Sequence, residues 1–140
     1  FINHIALQTN LDLFGVEDID INTSIITKER LDNGELVFMA GDRVSSQNTE
    51  RVYQTKFLNH EIELPVGTLK FAQIMEVPVF FITCVKNNNK YEIHTQEFVS
   101  DYRSKKERLA DLKEKYCKFL EKFTLKYPYQ FYNFFDIFKD

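Results

Sequence analysis

The sequence lacks tryptophan and holds few glycines, prolines, cysteines and methionines. Four glycines and three prolines exclude collagen-like and proline-rich low-complexity chains. Two cysteines are too few for a disulfide framework. Cys84 lies in an apolar stretch that predicts a strand, and Cys117 lies in a helical pattern. We therefore expect both thiols to be reduced and buried, which fits a cytoplasmic setting.

No charge sign dominates, since 18 Lys and Arg oppose 21 Asp and Glu, for a formal net charge of −3. This balance does not suggest wholesale binding of nucleic acid. No apolar run reaches the ~18 residues that predict a membrane-spanning helix. The sequence also has neither the Cys/His spacing of a zinc site nor a glycine-rich phosphate loop. We therefore expect no metal and no cofactor.

Aromatic side chains are plentiful, with 14 Phe and 7 Tyr among 140 residues. Apolar content of 44% and charged content of 28% are typical of a globular protein. The length suits one domain over residues 1–140. Because the first residue is Phe1 rather than Met, we expect this chain to be a fragment of a longer protein.

Two apolar runs without polar alternation predict buried parallel strands, Leu36–Ala40 and Val79–Val85, and the second is expected to be central. Asn87–Asn89 predicts a turn, because Asn tolerates positive φ. Tyr91–Phe98 alternates and predicts an antiparallel strand near the edge. The predicted fold class is α/β, with a mixed, mostly parallel central sheet flanked by helices.

Three helices are predicted. Asn22 or Thr23 caps the first, and Thr68 caps a second that runs to about Met75. Arg103–Tyr127 has the apolar stripe of one long C-terminal helix. The apolar residues of the first helix that are expected to face the core are Ile25, Ile26 and Leu31.

The strongest candidate site follows the strand Leu36–Ala40, where Gly41 is followed at once by Asp42 and Arg43. Ligands of open α/β sheets gather at the carboxyl ends of strands. Arg43 would bind a phosphate or carboxylate with its bidentate fork, and Asp42 would orient it. The alternative is a surface ion pair at a strand end. The polar stretch Asp42–Thr55 predicts a long loop, which beside a site is often a mobile lid.

A second turn, Pro65-Val66-Gly67-Thr68, leads into the second helix. Its backbone N–H groups and the Thr68 hydroxyl would point at an anion from a helix N-terminus. The alternative is a plain helix start with Thr68 as its cap. Together the two turns predict one side of an acyl-transfer or phosphate-binding cleft, with Asp42, Arg43, Pro65, Gly67 and Thr68 as substrate-binding residues.

The sequence shows no catalytic base for such a cleft. His4, His60 and His94 each lack an acidic residue five positions later, and each is expected to be structural or at the surface.

Two other stretches suggest contacts with a partner or a membrane. The basic run Arg103–Arg108 could dock an acidic partner or lipid head groups, or be a solvated helix start. The aromatic tail Tyr127–Phe138 could lie at a membrane interface, line an acyl pocket, or pack on the core.

Several of these stretches, taken in order and spacing, resemble the lysophospholipid acyltransferase superfamily, and its bacterial late (secondary) lipid A biosynthesis acyltransferases most closely. The stretches that carry the resemblance are Lys28–Glu35, Val37–Arg43, Phe57-Leu58 with Leu64–Thr68, Pro78-Val79 and Tyr127–Phe135. The glycerolipid branch has Pro-Glu-Gly-Thr-Arg at the third of these, where Val66 and Leu69 replace the Glu and the Arg. Glycerol-phosphate acceptors are therefore less expected.

The resemblance implies an enzyme that moves a fatty acyl chain from acyl carrier protein or coenzyme A to a hydroxyl of a lipid or lipid A-like acceptor. It implies a peripheral location on the cytoplasmic side of the inner membrane. The family's His-x4-Asp/Glu base is expected upstream, so this chain alone is expected to be inactive. Homodimerisation could hide a sheet face left uncovered. The alternative is a non-catalytic α/β module that binds lipid or a partner.

Overall fold

A computed structural model describes residues 11–14, 20–42, 44, 52–131 and 137–138. Contacts divide the chain into two compact units, Phe1–Phe38 and Met39–Asp140. The prediction of one domain over residues 1–140 stays a prediction. Each unit is described by itself below.

The first unit contains helix α1, Ile21–Asp32. Asp20 caps it by accepting a hydrogen bond from the Thr23 N–H at 2.7 Å, so the predicted cap at Asn22 or Thr23 is wrong by two or three residues. The helix ends at Asp32 with Asn33 as its C-cap, and Gly34 follows with φ +87°. A positive φ suits glycine because it has no Cβ.

Helix α1 buries none of its residues. Ile25 and Ile26 are exposed and Leu31 is half-buried, so the prediction that these side chains face a core is wrong. Ion pairs hold its C-terminal end instead, where Arg30 contacts Asp12 at 2.5 Å and Glu35 at 2.6 Å.

The second unit consists of two β-hairpins, two helices and a short 3-10 helix. In chain order these are β1 Val52–Phe57, β2 His60–Pro65, α2 Gly67–Met75, β3 Val79–Asn87, β4 Lys90–Phe98, α3 Lys105–Lys126 and the 3-10 helix Pro128–Gln130. Strand β1 pairs with β2, and β3 with β4, and both pairings are antiparallel. The described strands form two separate two-stranded sheets. The prediction of a mostly parallel central sheet is therefore wrong.

The predicted strand Leu36–Ala40 accounts for much of this error. The described chain forms no strand there, and Leu36 and Phe38 are 79% and 69% exposed. An apolar run becomes a buried strand only when another strand satisfies its backbone N–H and C=O groups. Strand β3 is confirmed, but within the described residues it pairs with β4 alone, so it is not central.

The first hairpin, β1–β2, turns at Leu58 and Asn59, which have φ of 52° and 69°. A positive φ is unusual for leucine because of its Cβ. The Leu58 N–H donates to the Glu121 carboxylate of α3 at 2.6 Å, which helps to hold this conformation. The predicted loop Asp42–Thr55 therefore ends at β1, and residues 45–51 lie outside the described residues.

The second hairpin, β3–β4, turns at Asn88 and Asn89, with φ of 46° and 65°. Two residues of positive φ form the turn that matches strand twist, and Asn tolerates them. Both the turn and the antiparallel strand predicted over Tyr91–Phe98 are confirmed.

The β3–β4 hairpin does not follow a simple amphipathic pattern, because both of its faces carry apolar side chains. Phe81, Val85 and Phe98 point into the core, but so do the half-buried Glu92 and His94. The apolar side chains on the opposite face are exposed: Phe80, Ile82, Cys84, Tyr91 and Ile93. The prediction of a buried Cys84 is wrong, whereas Cys117 is buried and both thiols are free.

Helix α3 confirms the predicted long C-terminal helix with slightly shorter bounds. Ser104 caps it by accepting from the Glu107 N–H at 3.2 Å. Leu112, Cys117 and Phe119 are buried along one stripe, and the Phe119 ring lies 5.6 Å from that of Phe81. The core of the second unit therefore lies along α3.

We expect Glu121→Ala to lower the free energy of unfolding by about 1–3 kcal/mol, because the buried Leu58 N–H would lose a charged acceptor. Chemical denaturation of both variants measures this. Glu114→Ala is the matched control, since Glu114 lies on the same helix in an exposed pair with Lys118 and should change stability little. Equal losses in the two variants would contradict the role of Glu121.

Candidate functional site

The two predicted turns meet in the second unit. The Thr68 hydroxyl, in the first turn of α2, donates to the Ala40 carbonyl at 3.1 Å. We call residues Ala40, Gly41 and Asp42 the Gly41 turn. Gly41 is buried, and a Cβ built on it would lie 3.0 Å from the Tyr116 hydroxyl and 3.6 Å from the Thr68 methyl. The turn therefore rests directly on α2 and α3, and only glycine allows this approach without displacing a neighbour.

The five predicted site residues have different settings. Asp42 is exposed at the surface of the Gly41 turn, and Arg43 lies outside the described residues. Pro65 ends β2 opposite Val52, and Gly67 is the first residue of α2, with open space around its Cβ position.

Thr68 does not act as the predicted helix cap. The cap position is Val66, whose side chain makes no capping hydrogen bond. The Thr68 hydroxyl instead uses its donor on the Ala40 carbonyl. Its role in this structure is to join the two turns.

Two buried tyrosines that the sequence did not single out lie near each other, and one of them, Tyr116, contacts the Gly41 turn. Tyr116 sits beneath Gly41, and burial raises the pKa of its hydroxyl, with the Asp42 carboxylate raising it further. Tyr53 of β1 is buried, and its hydroxyl makes no hydrogen bond in the described structure. Its pKa is raised by burial, then by Cys117 and by Tyr116. Both hydroxyls therefore stay protonated at neutral pH and can act as donors.

Two lysines lie near Tyr53. The Lys113 ammonium lies 4.9 Å from the centre of the Tyr53 ring, a cation–π contact. Burial lowers the pKa of Lys113, and the nearby charge of Lys70 lowers it further. Two close ammonium groups repel each other, and an anion bound between them would relieve that repulsion. Lys70 of α2 and Lys113 of α3 therefore make the surface near Tyr53 positively charged.

Cys117, His60 and His94 are each held by packing contacts. The Cys117 thiol donates to the Lys56 carbonyl at 3.1 Å, and burial is the first cause of its raised pKa. The His60 ring packs edge-on against Phe138, and the His94 ring lies 4.9 Å from that of Phe123. His4 lies outside the described residues.

One pattern in the sequence could have indicated Tyr53. Tyr53, Thr55 and Phe57 alternate with polar residues, and this period of two predicts a strand with one buried face. Tyr116 belongs to the apolar stripe of α3. Spacing alone cannot distinguish a tyrosine that contacts Gly41 from one that only packs in the core.

Comparison with protein-family models, with curated proteins and with solved structures found no match to this chain. Among the described helices, none combines the length and apolar character that crossing a bilayer requires. Over the same described residues, no three His, Cys, Asp or Glu side chains come together in a group that could hold a metal ion.

Gly41→Ala is expected to lower the free energy of unfolding by about 1–3 kcal/mol, because the new methyl would press on the Tyr116 hydroxyl. That hydroxyl cannot withdraw easily, since the Tyr116 ring packs on Phe81 at 5.3 Å. Adding Tyr116→Phe should recover much of the loss. Denaturant titrations of the two single variants and the double variant measure the coupling.

Gly67→Ala is the matched control for this cycle, since nothing lies within 4 Å of its Cβ position. It should leave stability unchanged or slightly raised. Additive losses from Gly41→Ala and Tyr116→Phe would contradict the contact.

The buried tyrosines predict a loss of stability at alkaline pH. The unfolded state releases the tyrosine proton near pH 10, whereas the folded state holds it to higher pH. The free energy of unfolding should therefore fall as pH rises above about 10, by up to about 1.4 kcal/mol per pH unit for each such group. Tyr53→Phe should make this fall shallower.

Thermal unfolding of wild type and variant between pH 8 and 11.5 measures the effect. Tyr129→Phe is the control, because Tyr129 is 94% exposed. If stability fell equally steeply with pH in the wild type and in both variants, the role of the buried Tyr53 hydroxyl would be contradicted.

Proposed function

We propose that this chain is part of an acyltransferase that moves a fatty acyl chain from a thioester carrier to a hydroxyl of a lipid or lipid A-like acceptor. The order and spacing of its motifs support this. The structural observation that carries the proposal is the contact of the Gly41 turn with Thr68 and Tyr116. It brings together the two motifs that the resemblance assigns to one cleft.

In this proposal the Gly41 turn holds the acceptor. Arg43, oriented by Asp42, binds a phosphate of the acceptor or the oxyanion that forms on the thioester carbonyl. Lys70 and Lys113 raise the local positive potential. Thr68 fixes the turn through the Ala40 carbonyl.

The reaction needs a base that none of these residues supplies. The acceptor hydroxyl gives its proton to the base, its oxygen attacks the thioester carbonyl, and the carbon–sulfur bond breaks to release the carrier thiol. The base would be the His-x4-Asp/Glu pair that the resemblance expects upstream. No residue of this chain is assigned a catalytic role.

The same resemblance also implies a parallel sheet, which the described residues do not form. The proposal draws nothing from that sheet. It depends on the motif order and on the contact between the two turns.

The alternative is a non-catalytic module that binds lipid or an acidic partner through the basic run and the aromatic tail. Part of the aromatic tail packs within the chain, since the Phe131 ring stacks on Phe57 at 5.3 Å. This contact gives the tail a packing role and favours the enzyme over the module. Lys105 of the basic run pairs with Glu76 at 3.2 Å and stays 81% exposed.

Transfer from acyl carrier protein or coenzyme A thioesters to a hydroxylated lipid acceptor, assayed with the intact protein, tests the proposal. Asp42→Ala and Arg43→Ala should each lower kcat/KM by at least about 100-fold, since Arg43 stabilises developing negative charge and Asp42 orients Arg43. Asp32→Ala, which removes an exposed carboxylate of α1, should leave the rate unchanged.

Full transferase activity in both Asp42→Ala and Arg43→Ala would make the assigned roles wrong. No transfer by the wild type, together with vesicle binding that Lys106→Glu abolishes, would favour the binding module.

A further inference from the structure

The β3–β4 hairpin also carries large apolar side chains on the face that points away from α3. We call Phe80, Ile82, Cys84, Tyr91 and Ile93 the outer face. Phe80 and Ile82 are 57% and 49% exposed, and Tyr91 and Ile93 are 74% and 67% exposed. Strand β4 meanwhile turns Glu92 and His94 towards the helix. A hairpin exposed to water on one side normally shows the opposite arrangement.

The cause lies in strand β3, which is apolar on both of its faces. Phe81 and Val85 pack in the core, so Phe80 and Ile82 must point outwards. The register with β4 places Ile93 beside Cys84, diagonal to Ile82, and Tyr91 beside Lys86, so the apolar side chains continue across both strands. A contiguous apolar patch of this kind marks an interaction surface.

We propose that the outer face packs against the outer face of a second copy of this chain. The two copies are related by a two-fold axis that lies between the two faces and runs perpendicular to the strands. The charges on the face favour this partner. Lys86 lies at the turn end of the face, and Glu97 lies at its open end. Each copy therefore presents one cation and one anion at opposite ends of an apolar centre.

The register defines which side chains would meet. Across the hairpin, Phe80 lies beside Glu97, and Lys86 lies beside Tyr91. The two-fold rotation places Lys86 over Phe80 of the second copy and near its Glu97. It also brings the Tyr91 hydroxyl to Glu97 of the second copy. Packing with the strands in the same direction would bring like charges together, so we exclude it.

Strand-edge pairing is the other way in which two copies could meet through β3. It would leave the outer face exposed. The edge at Lys86 is also occupied, because the Gln130 side chain accepts from the Lys86 N–H at 2.7 Å and donates to the Lys86 carbonyl at 2.8 Å. The face rather than the edge is therefore the contact.

The size of the patch sets the strength of the association. Its four large side chains expose on the order of 500 Å² of apolar surface per copy. Stable complexes bury roughly 800 Å² per partner. We therefore expect a reversible dimer whose population depends on concentration in the micromolar range.

Sedimentation equilibrium of the intact protein tests the contact surface. Ile82→Lys and Ile93→Lys should each weaken association by at least about tenfold, because a lysine would be buried at the centre of the contact. Ile74→Lys is the matched control, since Ile74 is 67% exposed on α2, away from the outer face. It should leave association unchanged. A wild type that stays monomeric at all concentrations would overturn the proposal, and so would a dimer that neither outer-face substitution weakens.

Charge reversal tests the two-fold arrangement. Lys86→Glu and Glu97→Lys should each weaken the dimer by about two- to fivefold, and the double variant should restore it. Edge pairing or same-direction packing would give no such rescue, so its absence overturns the arrangement.

Flotation with vesicles of phosphatidylglycerol and phosphatidylcholine tests the competing occupant. Vesicle binding that Ile82→Lys abolishes, by a protein that is monomeric in solution, would assign the outer face to a lipid surface and overturn the proposal. None of these measurements contains an acyl donor or acceptor, so their outcome is independent of the proposed transferase activity.

Discussion

The second unit depends on aromatic packing along one stripe of helix α3. Phe119 contacts the Phe81 ring on one side and the Phe123 ring on the other, at 5.6 Å and 4.9 Å. A two-stranded hairpin is marginally stable alone in water, so each hairpin needs a surface that covers one of its faces. Helix α3 provides that surface for β3–β4. It also holds the turn of β1–β2, where Glu121 accepts from the Leu58 N–H.

This dependence determines both the candidate site and the exposed surface. Tyr116 of the same helix supports the Gly41 turn from below, so the site exists only while α3 is packed. One helix can cover only one face of strand β3, although β3 is apolar on both. The side that remains uncovered is the outer face, which we assign to a second copy. The site and the proposed dimer surface are therefore two consequences of one packing arrangement.

Sequence patterns predicted the elements whose signals are local. The long apolar stripe predicted α3, and the asparagine run predicted the turn between β3 and β4, because each depends on neighbours in the chain. The hairpin at Leu58 was missed, since its positive φ is maintained by Glu121, 63 residues further along the chain. The strand expected over Leu36–Ala40 was wrong because hydrophobicity does not show whether a pairing strand exists. The meeting of Gly41 with Thr68 was expected, but the two tyrosines were not, because a tyrosine in a buried stripe resembles core packing.

The candidate site and the proposed acyl transfer both depend on the contact of the Gly41 turn with Tyr116 and Thr68. Nuclear Overhauser effects from the Gly41 α-protons in the folded protein test this most directly. We expect cross-peaks from these protons to the Tyr116 ring and to the Thr68 methyl. The Gly41 α-proton resonances should also be shifted upfield by the ring. Cross-peaks to neither side chain, with the spectrum of α3 otherwise that of a folded helix, would contradict the contact and remove the structural support for the proposed function.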